Sequence, residues 1–160
     1  MGEDRTLLVV WHSRTGASEQ MARAAAAHEN AKLVRAADVS SDDLLAASAF
    51  LFVCPENLAS MSGEMKEMFD RTYYDVLGRV EGRAYATIIA AGSDGMGAQM
   101  QIDRIATGWR LKRVAEPMVI NFDAQSPEEI WKPKVLSPQT ESECRDLGLS
   151  ISEGIALGVF

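Results

Sequence analysis

Two patterns alternate along this chain, and their alternation constrains the fold more than any other feature. Runs that are apolar at successive positions, Leu7–His12, Ala49–Cys54 (AFLFVC) and Ala84–Ala91 (AYATIIAA), take turns with segments whose apolar residues recur at helical spacing. The first helix is read over Gly16–Glu29, with Met21, Ala24, Ala25 and His28 on one face, which makes His28 a helix-end residue rather than a ligand. Ala31–Arg35 follows as a strand and Ser41–Ala47 as a short helix opened by Ser-Asp-Asp; Pro55 is expected to end the strand that begins at Ala49. Ser62–Leu77 presents Met65, Met68, Phe69, Thr72 and Val76 as a core stripe. A helix over Ala98–Leu111, a fifth strand over Val114–Phe122 and a final helix over Ser142–Leu157 complete five β-α repeats. Strands apolar on both sides belong in a parallel sheet covered by helices on both faces, so the expected class is α/β with a doubly wound five-stranded parallel sheet, order 2-1-3-4-5. In that order ligands lie beyond the carboxyl ends of the strands, where the first and third strands diverge.

At 160 residues and 47% apolar composition, a single domain over residues 1–160 is the expectation. No apolar run approaches the ~20 residues of a membrane helix. The start, Met1-Gly2-Glu3-Asp4-Arg5, leads into a strand rather than a leader peptide, so the chain is read as cytoplasmic, with no membrane partner. Cys54 and Cys144 match neither a metal spacing nor a disulfide framework and are read as buried thiols. The net charge of -7 argues against nucleic acid, which needs a concentrated basic face.

The loops after strands one, three and four are Ser13–Ser18, Pro55–Gly63 (PENLASMSG) and Gly92–Ala98 (GSDGMGA), all rich in small, amide or hydroxyl residues. The first stands between a strand and a helix, where backbone N–H groups, hydroxyls and the helix dipole favour an anion such as phosphate. Several competing chemistries lack their residues. Gly92-Ser93-Asp94-Gly95 is short of a nucleophile elbow, and both histidines, His12 and His28, precede its serine. Gly92 and Gly97 have Walker spacing, but Ala98 and Gln99 stand where lysine and a hydroxyl belong. A receiver domain needs acidic residues where Trp11-His12 and Cys54-Pro55 stand, and a phosphatase loop needs arginine where Ser60 stands. Gly95 and Gly97 supply two of three dinucleotide-binding glycines, with Glu116 placed to hold a ribose; the third glycine is missing, and this reading stays open as the lesser alternative. The remaining reading is non-covalent binding of a ligand with a phosphate at the first loop and a flat body across the other two.

The hydroxyl-rich loop Ser13-Arg14-Thr15-Gly16-Ala17-Ser18 resembles the flavodoxin phosphate loop, S/T-x-T-G-x-T. Pro55-Glu56-Asn57, followed by Met61-Ser62-Gly63-Glu64-Met65-Lys66 and Phe69-Asp70, resembles the second flavin loop and helix of NADPH-dependent FMN reductases and of tryptophan-repressor-binding-protein-like quinone reductases. The resemblance covers essentially the whole chain and implies a flavodoxin-like fold with bound FMN. It assigns the phosphate to Ser13, Arg14, Thr15, Gly16, Ala17 and Ser18, and the ring to Pro55, Glu56, Asn57 and Leu58, with Gly92, Ser93, Asp94, Gly95 and Gly97 completing the site through backbone groups. Arg14 departs from the family loop and is expected either to meet the phosphate or to pair with Glu19.

The resemblance further implies an oxidoreductase in which NADPH or NADH reduces FMN and electrons pass to a quinone, a flavin or another small acceptor. No catalytic acid or base and no metal is assigned. The alternative is a flavodoxin-type one-electron carrier without a substrate of its own, which the acidic charge suits. Trp11 is read as core. Trp131 lies in the long polar connection Phe122–Thr140, which would suit either a lid over the site or a contact in a homodimer.

Overall fold

In the computed structural model, which describes residues 5–160, the sheet is built from β1 (Leu7–Trp11), β2 (Ala31–Arg35), β3 (Ala49–Asn57), the short return strand β4 (Ser60–Met61), β5 (Ala84–Ala91), β6 (Lys112–Arg113) and β7 (Met118–Asn121). The helices are α1 (Ala17–Ala25), α2 (Ser41–Ala46), α3 (Gly63–Val76), α4 (Met96–Gly108), α5 (Pro127–Trp131) and α6 (Pro138–Ala156). The parallel order is β2-β1-β3-β5, with β6 and β7 both paired to β5 at the fifth position, so the doubly wound flavodoxin-like class expected from the sequence is the one observed.

Alternation along each strand sends side chains to two separate cores. Leu8, Val10, Phe50, Phe52 and Cys54 pack with Leu44 of α2, Met65, Met68 and Phe69 of α3, and Ala98 and Ile102 of α4. Leu7, Val9, Leu51 and Val53 pack on the opposite face with Met21 and Ala25 of α1 and Ile151 and Ile155 of α6. Each fully buried Leu, Met or Phe here contributes about 1.5–3 kcal/mol of transfer free energy. Both thiols are buried in these cores, as expected, and burial pushes Cys54 up to about 12 and Cys144 up to about 11.

Several elements differ from the sequence reading, among them the first helix, which ends at Ala25 rather than Glu29. The strand from Ala49 does not stop at Pro55 but runs to Asn57. Val53 accepts from the His12 N–H, so the alternate residue Pro55 faces the side where β1 has already ended and no N–H is wanted there. The expected strand Val114–Phe122 is shortened to Met118–Asn121 and preceded by the unexpected β6, because residues 114–117, with Pro117 among them, bulge out opposite residues 86–87 of β5. The last helix begins at Pro138 rather than Ser142. Ser137 caps it by accepting from the Thr140 N–H at 3.1 Å, and proline suits the first helical position. A similar Ser126-Pro127 start produces α5 inside the long polar connection Phe122–Thr140.

No helix among the described residues is long and apolar enough to cross a membrane. Residues 1–4, on which the expectation of no leader rests, lie outside the described residues.

Candidate functional site

The loops after β1, β3 and β5 meet at the carboxyl edge of the sheet and enclose a cavity of about 440 Å³. Arg14, Thr15 and Ala17 line it from the first loop, Pro55, Glu56, Asn57, Leu58 and Ala59 from the second, and Ala90, Ala91, Gly92 and Ser93 from the third. Of the residues assigned to the site from sequence, Ser13, Gly16, Ser18, Asp94, Gly95 and Gly97 do not line it. Ser13, Gly16, Gly95 and Gly97 shape the loops behind it.

The first loop turns into α1 through Gly16, whose φ of 97° lies in the left-handed region that favours glycine. A Cβ there would meet only the end of Gln20 at 3.4 Å, so backbone conformation rather than crowding requires the glycine. The Gly16 N–H donates to Ser13 Oγ at 3.0 Å, which folds the loop back on itself. No side chain caps α1, so the first-turn N–H groups have no partner from within the helix. Ser18, 1% exposed, has a hydroxyl with no hydrogen-bond partner. Arg14 is exposed and makes no ion pair among the described residues; Glu19, its expected partner, binds Arg23 at 3.1 Å.

The second loop is a hairpin. Glu56 pairs with Met61 and Asn57 with Ser60, leaving Leu58 (φ 54°) and Ala59 (φ 62°) as a two-residue turn. Each non-glycine residue in that conformation costs about 1–2 kcal/mol. Leu58 is fully exposed at the cavity mouth.

The third loop enters α4 through Gly95, with φ 96° and again no side-chain cap from the helix's own segment. Glu56 reaches across from the hairpin to supply one. Its Oε1 accepts from the Gly95 N–H at 2.9 Å and its Oε2 from the Ala98 N–H at 3.1 Å. That carboxylate occupies the place a dinucleotide pyrophosphate would need, and Glu116 sits exposed in the bulge before β7, so the dinucleotide reading fails.

Phe122, Ala124, Ile130 and Lys134 complete the cavity; none was assigned to the site individually, but all lie in the connection Phe122–Thr140 that was read as a lid or a homodimer contact. They follow the last strand, whose carboxyl end faces the same edge; that position was their available signal. The connection is pinned onto the first loop: the Lys134 N–H donates to Thr15 O at 2.8 Å, and Gln20 Nε2 donates to Lys134 O at 2.7 Å. Lys134 Nζ donates to the carbonyls of Glu129, Ile130 and Lys132, closing the end of α5. Trp131 is 71% exposed beside Ile130. Trp11, read as core, is half-buried and packs against the core beneath α1 and α6, with the Arg35 guanidinium 5.7 Å above its ring.

Beneath the first loop, buried His12 stands with Nδ1 2.7 Å from Ser62 Oγ and Nε2 3.6 Å from Glu64, whose carboxylate is held by Arg35 at 3.0 and 3.2 Å. Burial lowers the His12 pKa; Glu64 opposes the shift, and Arg35 and Arg14 reinforce it. Desolvation wins, so the imidazole is neutral near pH 7 and the contact with Glu64 is not a full ion pair. His28 lies beyond the end of α1, its Nε2 3.2 Å from Ser152 Oγ.

Flavodoxin of Aquifex aeolicus (strain VF5) is 25% identical over 96% of this chain and 88% of its own. A flavodoxin from the domain Archaea superposes with TM-score 0.77 at 20% identity, covering 94% of this chain and 99% of that one. The flavodoxin, WrbA-like protein from Agrobacterium tumefaciens superposes with TM-score 0.73 at 16% identity, covering 93% and 96%. At those identities the structures establish the fold. The family model described as NADPH-dependent FMN reductase matches residues 19–124, more than half of the chain and all of the second and third loops, and the chain therefore belongs to that family.

Proposed function

We propose that the cavity binds FMN and that the protein is an FMN-dependent NAD(P)H oxidoreductase passing electrons to a quinone, a flavin or another small acceptor. The observation that carries the binding mode is the state of the two helix N-termini facing the site. The one at α4 is already filled by Glu56, whereas the one at α1 has free N–H groups, a left-handed Gly16, the unpartnered Ser18 hydroxyl and the unpaired Arg14. A phosphate dianion fits the open one.

The rest of the cavity suits a flat, mostly apolar body with hydrogen-bonding edges. Ala90, Ala91, Phe122 and Ala124 supply apolar surface, and Asn57, Gly92 and Ser93 supply polar groups. FMN when bound supplies hydride and electron transfer, which no side chain here can perform. The chain's part is to hold the phosphate end at residues 13–18 and to confine the ring between the hairpin and the third loop. Neither of those loops contributes an aromatic side chain, and that leaves room for a nicotinamide to stack. The proposed partners are small molecules, since a net charge of -7 disfavours nucleic acid.

A second reading, a flavodoxin-type electron carrier, is favoured by the same net charge and by the flavodoxin relative that spans 96% of the chain. Anaerobic mixing of the FMN-loaded protein with NADH or NADPH separates the two. Bleaching of the flavin absorbance, and recovery on adding a quinone, is the expected result. Failure of both nicotinamides to reduce the flavin would replace the enzyme by the carrier.

A further inference from the structure

We infer that Gln101 is a positioning residue for the flavin ring: from α4 it locks the strained hairpin that forms one wall of the cavity. Its Oε1 accepts from the Met61 N–H at 2.8 Å, and its Nε2 donates to Ser60 Oγ at 2.7 Å, so one side chain grips both residues of β4. Neither bond belongs to the β3–β4 ladder. The same helix grips the hairpin twice more. Glu56 is tied to the Gly95 and Ala98 N–H groups, and Gly97 lies so close to the turn that a Cβ there would stand 2.0 Å from Ala59 O.

This backing has a reason in the turn itself. Leu58 and Ala59 are both left-handed without being glycine, a conformation that persists only where the surroundings over-determine it. An isolated two-strand hairpin of this length would not hold it. The strain sits where residues 55–59 line the cavity, so what the ring meets is set from behind by Gln101, which does not itself line the site. Loss of the clamp lets Leu58 and Ala59 leave the left-handed region and the wall drift from the cavity.

The inference rests on FMN binding as proposed above, and its test separates the two. Gln101→Leu keeps the volume and removes both hydrogen bonds. Gln101→Glu keeps an acceptor for Met61 and offers its second oxygen to the Ser60 hydroxyl. In the flavin-free protein, exchange of the Met61 amide is expected to quicken at least tenfold in Gln101→Leu and to stay near wild type in Gln101→Glu. Titrated by flavin fluorescence, Gln101→Leu is expected to weaken FMN and riboflavin by the same factor, roughly 5- to 20-fold, because the damage is at the ring and not at the phosphate. Gln101→Glu is expected to restore both.

Unchanged affinity for both flavins, or a loss confined to FMN, would overturn the positioning role while leaving the proposed function standing. Failure of the wild-type protein to bind either flavin would overturn the proposed function and the inference with it.

Discussion

α1 and α4 begin almost identically and end up opposite in chemistry. Each enters through a left-handed glycine, Gly16 at φ 97°, ψ -14° and Gly95 at φ 96°, ψ -13°, and neither has a cap from its own segment. At α4 the Glu56 carboxylate accepts from the Gly95 and Ala98 N–H groups; at α1 the Gly16 N–H meets only Ser13 Oγ, no carboxylate among the described residues reaches the first turn, and a buried hydroxyl there is left unpartnered. A glycine at a helix start therefore predicts an anion site only when no carboxylate of the protein has reached it first. The pair also differs in what each does: the α4 terminus braces the cavity wall through Glu56, and the α1 terminus is the one proposed to take the ligand.

The largest effect is expected at Gly16. Gly16→Val puts a β-branched residue at positive φ, and FMN affinity is expected to fall by about 100-fold, leaving FMN and riboflavin bound alike. A variant that still prefers FMN would break the assignment of α1 as the phosphate end.

Next comes the filled terminus. Glu56→Ala removes two hydrogen bonds to an ionised group and is expected to lower unfolding free energy by about 1–3 kcal/mol in denaturant titrations. With FMN saturating, sulfate should then raise the Tm of the variant by more than its general salt effect on the wild type, since the vacated α4 terminus becomes the second anion site. Equal sulfate response in both proteins would remove the contrast between the two helices.

Arg14 is exposed, so its contribution is screened. Arg14→Ala is expected to weaken FMN by about fivefold at low salt, less at high salt, and riboflavin not at all. A loss shared equally by riboflavin would place Arg14 at the ring instead.

The smallest effect is on stability against pH. Because burial holds the folded-state pKa of His12 below its ordinary 6.5, the unfolded chain binds the proton first. Stability should thus fall as pH drops below about 6.5 and level off at the lowered folded value. Glu64, depressed chiefly by its bond to Arg35, adds its own loss only below its ordinary 4.5. His12→Gln should flatten the upper step and leave the lower one. An unchanged upper step would show that another group titrates there.

What the sequence disclosed, and what it hid, follows the same contrast. The turn at Gly16 into α1 was legible because a strand-loop-helix junction is local chemistry, and the unbroken apolar strands set the sheet's class by themselves. The role of Glu56 was not legible: it reads as a ring contact beside Pro55, yet its partners lie 39 and 42 residues away. Gln101 was hidden for the same reason, as an ordinary polar residue on a helix whose partners Ser60 and Met61 belong to a hairpin obscured by the expectation that Pro55 ends the strand. Lys134 meets Gln20 across 114 residues, a contact no periodicity announces.

The open helix terminus, and not the cavity walls, is proposed to select the ligand. Dissociation constants of FMN and riboflavin for the wild-type protein, measured side by side by flavin fluorescence at low ionic strength, test it most directly. FMN is expected to bind about 100-fold more tightly, the equivalent of one or two charge-assisted hydrogen bonds to the phosphate. Equal affinities would contradict it.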